Sequence, residues 1–181
     1  PVYRPDVVMD FLDFEGEQLY FDEPLHDEAR QCLERAAETY GDAEAEQLLM
    51  RAFFLEPEHP VVLVGLYRYF YYQHRYEDAL YVAERVLQVF AKRLGLPEYW
   101  SELDERGVGK GVMISMTLVR FYMLALKGAG YLQLRLGDYE SAIARLQKVA
   151  EFDSKDRLGA QALIDVARDA MKQGAGAFDR Q

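Results

Sequence analysis

The sequence repeats itself with a period of 34 residues. The ranges His26–His59 and Pro60–Arg93 abut, and each is 34 residues long. A third range of the same length, Met123–Asp156, aligns with both of them. An alanine recurs at the equivalent place in all three units, and these alanines are Ala45, Ala79 and Ala142. Repeats of roughly 20–50 residues are typical of small supersecondary units that stack on one another, so this period restricts the fold more than any other feature.

The third unit shows most clearly what each repeat would form. Apolar residues recur at helical spacing through Met123–Leu136, and Gly130 would let a neighbouring helix approach closely. Gly137 suits the left-handed position that ends a helix, and Asp138 suits the capping position that starts the next. The range Tyr139–Phe152 again has helical spacing. The unit therefore predicts an antiparallel helix hairpin.

These residues resemble the tetratricopeptide repeat, a family of 34-residue helix–turn–helix units. The third unit matches the family pattern with a small residue at position 8, Gly130, and alanine at position 20, Ala142. It departs from the pattern with Gln133 at position 11, usually tyrosine, and Ser154 at position 32, usually proline. The resemblance implies an all-α protein: a right-handed α-solenoid of antiparallel helix pairs that ends in a C-terminal capping helix.

The residues outside the repeats precede, separate and follow them. In the insertion we expect Gly107–Gly111 to form a flexible loop or hinge and Val112–Tyr122 to extend the next helix. The predicted apolar face of the capping helix consists of Leu158, Leu163, Val166, Ala167 and Ala170. The predicted organisation is an acidic N-terminal arm at 1–25, a helical domain at 26–173 with repeats 26–59, 60–93 and 123–156, an insertion at 94–122, a capping helix at 157–173, and a flexible tail at 174–181.

Charge and cysteine content exclude several classes of function. Lys and Arg number 21 against 31 Asp and Glu, which gives a formal net charge of −10. Such a field repels phosphate backbones and anionic lipid, so we expect neither nucleic acid nor a membrane as partner. Cys32 is the single cysteine, so no disulfide forms within one chain. Together these features favour a cytoplasmic protein.

The sequence offers little material for catalysis. His26, His59 and His74 are the only histidines, and none has a second histidine at the spacing of a helical metal site. We expect His59 and His74 to be ordinary solvated residues, and Cys32 to be a small buried apolar residue. The sequence therefore predicts no catalytic residue, no metal, no cofactor and no enzyme activity.

The resemblance implies where a partner would bind. In the tetratricopeptide family the first helix of each pair lines a concave groove, and ligand contacts come from positions 2, 5, 9, 12 and 13. Transferred to the second and third units, these positions predict a groove that is aromatic with basic residues. The candidate partner-binding residues are Val64, Arg68, Tyr71, Tyr72, Lys127, Tyr131, Leu134 and Arg135.

The aromatic run in the second unit leaves two interpretations open. Leu66, Tyr69 and Phe70 are expected in the core. Tyr71 and Tyr72 would either line the groove or be covered by the insertion, by the N-terminal arm or by a second subunit.

The sequence thus predicts a protein–protein interaction module, such as an adaptor, an assembly factor or a chaperone-like protein. It would bind a peptide or a partner helix in the groove, and a homodimer is a further possibility. The alternative is a ligand-sensing or regulatory domain that binds a small anion near Gly107–Gly111, where Lys110 adds positive charge. For the acidic arm, exposure to solvent and contact with the helices or a basic partner remain open.

Overall fold

The computed structural model describes residues 23–178, and every regular element within that range is helical. The predicted all-α class is therefore confirmed. One turn of 3₁₀ helix, Trp100–Glu102, lies in the connection between the fourth and fifth α-helices. The α-helices in this range are α1 Asp27–Glu38, α2 Ala43–Leu55, α3 Pro60–Tyr72, α4 Tyr76–Leu94, α5 Glu105–Ile114, α6 Met116–Leu136, α7 Tyr139–Phe152 and α8 Ala160–Phe178.

Three helix pairs lie at the three repeated units. Helices α1 and α2 pack together, as do α3 with α4 and α6 with α7. Short turns join the partners, so the helices of each pair run antiparallel. At the third turn Gly137 adopts a left-handed φ of 83°, and the Asp138 carboxylate accepts a hydrogen bond from Ser141 N at 3.3 Å. The helix end and cap predicted at these two residues are confirmed.

The crossing of α6 and α7 depends on a residue without a side chain. A Cβ atom added at Gly130 would lie 2.9 Å from Cγ of Leu146 and 3.4 Å from the carbonyl oxygen of Ala142. Both of those residues are completely buried. The predicted close approach at Gly130 is therefore confirmed, and it fixes how deeply the two helices interlock.

The core extends from the first helix pair to the last helix. Helix α4 packs along α6, and α7 packs against α8, so the apolar contacts continue past the insertion. Leu66, Tyr69 and Phe70 are buried as expected. Cys32 is also buried, in a smaller group of apolar residues between α1, α2 and α3. A membrane crossing would need a longer and more apolar helix than any found in residues 23–178.

The insertion is more helical than expected. Gly107–Gly111 is not a loop, because it lies within α5. Asp104 caps the N-terminus of α5: its carboxylate accepts a hydrogen bond from Gly107 N at 2.6 Å. An α-helix in a folded domain can tolerate glycine when its neighbours hold the segment in place. Here Gly111 is buried, and an added Cβ would lie 3.2 Å from Val119. Ser115 then separates α5 from α6, so α6 begins at Met116.

Arg145 of α7 attaches the insertion to the core. Its side chain is only 9% exposed and forms an ion pair with Glu84 of α4. The guanidinium also lies over the ring of Trp100, with its central carbon 5.1 Å from the ring centroid. Nearby, Lys148 Nζ donates to the Leu103 carbonyl oxygen at 3.2 Å. Two basic residues of α7 therefore hold the 3₁₀ segment against α4 and α7.

The last helix packs on α7, and its predicted apolar face is buried or half-buried except at Val166. Leu163, Ile164 and Ala167 are buried, whereas Val166 is 54% exposed, so the prediction for Val166 is wrong. The helix also continues to Phe178, five residues into the predicted tail. Residues 179–181 of that tail, and residues 1–22 of the predicted arm, lie outside the described residues.

His59 is not the solvated linker residue that its position suggested. It is buried and caps α3, because its Nδ1 accepts a hydrogen bond from Val61 N at 3.2 Å. This bond requires an unprotonated Nδ1, so Nε2 carries the ring proton and faces the Glu23 carbonyl oxygen at 3.2 Å. His74, by contrast, is exposed at the turn between α3 and α4.

We expect Gly130→Ala to lower the free energy of unfolding by about 1–2 kcal/mol. The new methyl group would overlap Leu146, and overpacking of this kind costs roughly 1–3 kcal/mol, partly offset by the higher helix propensity of alanine. Urea denaturation followed by circular dichroism measures the change. Gly109→Ala is the matched control, because an added Cβ there meets nothing within 4 Å. Equal stability of the two variants would contradict the tight crossing.

Arg145→Ala should release the insertion and destabilise the protein by about 2 kcal/mol, because Glu84 loses its partner and the stacked cation disappears. Trp100 is the single tryptophan, so its fluorescence reports directly on this contact. We expect emission at longer wavelength in the folded variant. Arg106→Ala, at an exposed position of α5, serves as control. Unchanged Trp100 emission in Arg145→Ala would refute the proposed attachment.

Candidate functional site

A groove opens between α1 and α3, and we call it the α1–α3 groove. It has a volume of about 560 Å³. Leu49 of α2 contributes to its floor, where Gly65 leaves room: an added Cβ at Gly65 would touch Leu33 and Leu49 at ordinary contact distances. No carboxylate is among the lining residues, which are Leu33, Ala36, Ala37, Tyr40, Leu49, Val61, Val64, Gly65, Arg68 and Tyr72.

Tyr40 closes one end of this groove. Its hydroxyl lies 3.3 Å from the carbonyl oxygen of Arg68, and its ring meets Tyr69 and Tyr72 edge to face at centroid distances of 5.7 and 6.5 Å. Although almost half of its surface is exposed, burial raises the pKa of Tyr40 to about 12, helped by the neighbouring phenol of Tyr72 and opposed by Arg68. At neutral pH the hydroxyl is therefore protonated and donates to Arg68 O.

Three of the predicted partner-binding residues line the α1–α3 groove. Val64 is buried in its wall, Arg68 is half-buried, and Tyr72 is 51% exposed. Positions 61, 64, 68 and 72 follow helical spacing along α3, which explains why the family's contact positions fall on one stripe here. The groove thus combines an apolar floor with one guanidinium and two phenols.

Tyr71 belongs to a different group, which we call the tyrosine cluster: Tyr67, Tyr71, Tyr76 and Tyr131. The Tyr71 ring stacks parallel to Tyr67 at 6.4 Å and lies 5.9 Å from Tyr76. Its hydroxyl oxygen is 3.4 Å from that of Tyr131 on α6. Tyr71 therefore connects α3 to α6 from within the fold, and it does not line the α1–α3 groove.

The candidate residues on α6 are only partly accessible. Lys127 and Tyr131 are 0% exposed, so their side chains do not lie at an open surface, and their contact with a partner stays a prediction. Leu134 is half-buried and packs against the core. Helix α6 is covered on nearly all sides, because α4, α5, α7 and α8 all contact it. The largely apolar circumference of Phe121–Leu126 was the sequence signal for this burial, since a helix that is apolar all round is a buried helix.

Arg135 is the accessible cation at the end of α6. Its Nη1 donates to the Tyr131 hydroxyl at 2.9 Å, and its guanidinium lies 4.7 Å above the Tyr76 ring. The side chain remains exposed. Arg135 therefore places positive charge at the edge of the tyrosine cluster, which Tyr71 joins from α3.

Sequence reasoning missed part of the groove. The candidate residues did not include Tyr40, Leu33, Leu49 or Gly65. Their contribution depends on how far α1, α2 and α3 splay apart, which the sequence pattern does not give. Across residues 23–178 no group of three or more His, Cys, Asp or Glu side chains is arranged to hold a metal ion.

Comparison with known proteins identifies a relative of this chain. An uncharacterized 19.8 kDa protein in the nifW 5′ region of Azotobacter chroococcum mcd 1 is 51% identical to this chain over 158 residues. The match covers 87% of this chain and 88% of the relative. This chain belongs to the same protein family. No family model matches the chain, and no solved structure matches it. The resemblance to tetratricopeptide repeats therefore stays a prediction for this family member.

The two neighbouring tyrosines of α3 should respond very differently to truncation. We expect Tyr71→Ala to lower the free energy of unfolding by about 3 kcal/mol, because a ring packed in the tyrosine cluster leaves a cavity. Tyr72→Ala should cost about 1 kcal/mol or less, since half of that residue is exposed. Urea denaturation of both variants measures the difference. Equal losses would show that Tyr72 is also structural and would remove it from the candidate site.

Proposed function

We propose that this family member is a protein–protein interaction module that binds a peptide segment or partner helix in the α1–α3 groove. The observation that carries the proposal is the groove itself: it is open, mostly apolar, lined by tyrosines and free of carboxylates among its lining residues. Clefts that bury apolar side chains and present a few polar groups are typical binding sites. Tyrosine and arginine are the residue types that most often dominate binding energy at interfaces.

The composition of the groove indicates the chemistry of the ligand. Apolar side chains would occupy the floor formed by Leu33, Leu49 and Val64. An acidic group on the ligand would face Arg68, while the Tyr72 ring would cover an apolar side chain. We therefore propose an amphipathic segment with some acidic residues, held mainly by apolar contact and oriented by one charged hydrogen bond.

The proposed architecture is the right-handed α-solenoid of tetratricopeptide-like helix pairs. It is supported by three helix hairpins located at the three 34-residue units and by α8 packed on the last of them. In that architecture the first helices, α1, α3 and α6, face one side, where the groove and Arg135 lie. An adaptor, an assembly factor and a chaperone-like protein are all consistent with such a surface.

Further features of the proposal follow from charge and chemistry. We propose no catalytic role, since the groove offers a guanidinium and phenols but no paired nucleophile and base. The net charge of −10 disfavours nucleic acid and anionic membranes as partners. A single buried thiol is compatible with a cytoplasmic location, and a homodimer remains a possible assembly. Proteins encoded in the nifW region named for the relative are the first partners to test.

The alternative of an anion sensor at Gly107–Gly111 receives no support from a specific contact. Its premise was an open glycine-rich loop whose amide groups point at a ligand. That segment is helical, and its first amide groups are already used, because Gly107 N donates to the Asp104 carboxylate and Val108 N to the Asp104 carbonyl oxygen. We therefore do not develop this function further.

Selection of binding peptides from a displayed library tests the proposed groove. We expect enriched peptides with apolar residues and at least one acidic residue. Ala37→Glu and Tyr72→Ala should each weaken binding of a selected peptide about tenfold or more, which corresponds to about 1.4 kcal/mol or more. Ala37→Glu adds a charge to the apolar groove, and Tyr72→Ala removes an aromatic contact. Fluorescence anisotropy measures the affinities.

Two comparisons make this test specific. Tyr99→Ala removes an exposed tyrosine that does not line the groove and should leave the affinity unchanged. Arg68→Glu should shift the preference of the protein from acidic toward basic peptides. All variants are compared at equal helicity by circular dichroism. Peptides that bind Ala37→Glu as tightly as the wild type would place the contact elsewhere and overturn the proposed site.

A further inference from the structure

Three large apolar side chains are exposed together where α5 meets α6. Met113 is 87% exposed, Ile114 61% and Met116 67%, and we call these three residues the apolar elbow. Elsewhere in residues 23–178, exposed large apolar residues lie at least five positions apart in the sequence. Single exposed apolar side chains are ordinary, whereas a contiguous group is typical of an interaction site. The apolar elbow is therefore a candidate contact surface outside the α1–α3 groove.

Packing between α5 and α6 holds the apolar elbow in place. Gly111 is buried between these helices, where an added Cβ would lie 3.2 Å from Val119 and 3.4 Å from Leu96. Ser115 N donates to the Gly111 carbonyl oxygen at 2.9 Å, and the Ser115 hydroxyl oxygen accepts from Leu118 N at 3.2 Å. Hydrogen bonds thus fix the turn on both sides. A partner meets a preorganised surface, which lowers the entropic cost of binding.

Positive charge lies next to the apolar elbow on α5. Arg106 and Lys110 are exposed, and neither forms an ion pair within residues 23–178. Residues three, four and seven positions apart share one side of a helix, so Arg106, Lys110 and Met113 follow one stripe, which Ile114 borders. Glu105, the acidic residue of α5, lies off this stripe. In a chain with a net charge of −10, this side of α5 is cationic.

An exposed glycine leaves room for a helix along this stripe. Gly109 lies beside Arg106 and Met113 on α5, and an added Cβ there would meet nothing within 4 Å. The stripe from Arg106 to Ile114 covers about two helical turns, or roughly 12 Å. Methionine side chains adapt to an opposing surface because they are unbranched and have three rotatable bonds. These features favour a second helix packed across Gly109 and the apolar elbow.

Charge distinguishes between the possible occupants. A second copy related by twofold symmetry would bring two cationic stripes together, and like charges repel. An anionic membrane would attract Arg106 and Lys110, but it would repel the acidic remainder of the chain. A protein helix that carries carboxylates beside its apolar face matches both the charge and the apolar side chains.

We propose that the apolar elbow and the cationic stripe of α5 form a second docking surface, for an amphipathic, acidic helix of another protein. Met113, Ile114 and Met116 contact the apolar face of that helix, and its carboxylates pair with Arg106 and Lys110. None of these five residues lines the α1–α3 groove. This docking surface therefore goes beyond the proposed function and does not depend on it.

Selection from a displayed library of helical peptides tests the docking surface in a protein whose groove is blocked. Each peptide has one apolar face, and its flanking positions vary among Glu, Gln and Lys. The target carries Ala37→Glu, so that peptides for the α1–α3 groove are not selected. We expect enriched peptides to carry mostly Glu beside the apolar face. Equal enrichment of Glu and Lys, or no enrichment, would overturn the docking surface and leave the peptide selection on the groove unaffected.

Fluorescence anisotropy of a selected peptide measures the apolar contribution. Met113→Ser with Met116→Ser should lower the affinity at least about tenfold, because two apolar contacts are lost. Both positions are exposed, so we expect the circular dichroism spectrum of the wild type. Val166→Ser with Met171→Ser, at exposed positions of α8, is the matched control and should keep the affinity. Full affinity in the elbow variant would contradict the proposal.

A charge reversal measures the electrostatic contribution. Arg106→Glu with Lys110→Glu should lower the affinity for a Glu-flanked peptide at least about tenfold and raise it for the same peptide with Lys in place of Glu. Loss of folding cannot produce such an exchange of preference. Lys155→Glu with Arg157→Glu makes the same charge change at exposed positions after α7 and should keep the original preference. An unchanged preference in the α5 variant would refute the pairing.

Two measurements on the wild type test the other occupants. Sedimentation velocity detects association between copies, and cosedimentation with vesicles of phosphatidylcholine and phosphatidylserine in equal parts detects membrane binding. We expect neither to depend on the apolar elbow. A dimer or a vesicle complex that Met113→Ser with Met116→Ser abolishes would assign the elbow to that occupant and overturn the proposal.

Discussion

The structure depends on the burial of α6. This helix contacts α4, α5, α7 and α8, and 14 of its residues are buried, including Lys127 and Gln133. Such coverage requires small residues where neighbours come closest, which is why Gly130 faces Leu146. It also requires the polar groups of α6 to be accommodated inside the protein, as Tyr131 is through Tyr71 and Arg135. The helix therefore serves as the common support for both halves of the chain.

The surface that we propose for binding is positioned by this buried support. Tyr71 attaches α3 to α6, and the next residue, Tyr72, is left exposed at the groove. Neighbouring residues of one helix point in directions about 100° apart, so one tyrosine can stabilise the fold while the next contacts a ligand. Arg135, at the end of α6, combines both roles in one side chain: its guanidinium packs on Tyr76, and it remains exposed. Structure and proposed function thus share elements but use different side chains.

Much of the fold was predictable because the relevant information is local. The period of 34 residues locates the hairpins, Gly137 and Asp138 specify a turn, and the spacing of Leu66, Tyr69 and Phe70 indicates the core. Features that depend on tertiary contacts were not predictable. Glycine propensity argued for a loop at Gly107–Gly111, but packing of Gly111 against Val119 holds a helix there. Family positions placed Lys127 and Tyr131 on an open groove, whereas both side chains are fully buried. The groove itself was found only in part, since its floor at Gly65 depends on the separation of three helices.

The path of helix contacts has a consequence for how the chain folds. Most extensive contacts join helices that follow each other in sequence, and loop closure between such neighbours costs little entropy. The contact between α4 and α6 is the exception, because the chain passes through the 3₁₀ segment and α5 before α6 returns to α4. The first two hairpins and the last three helices can therefore form as separate cooperative units, and the return of α6 onto α4 is the non-local step that unites them. Arg145 and Glu84 lie on opposite sides of that step, so their ion pair can form only once the two units have joined.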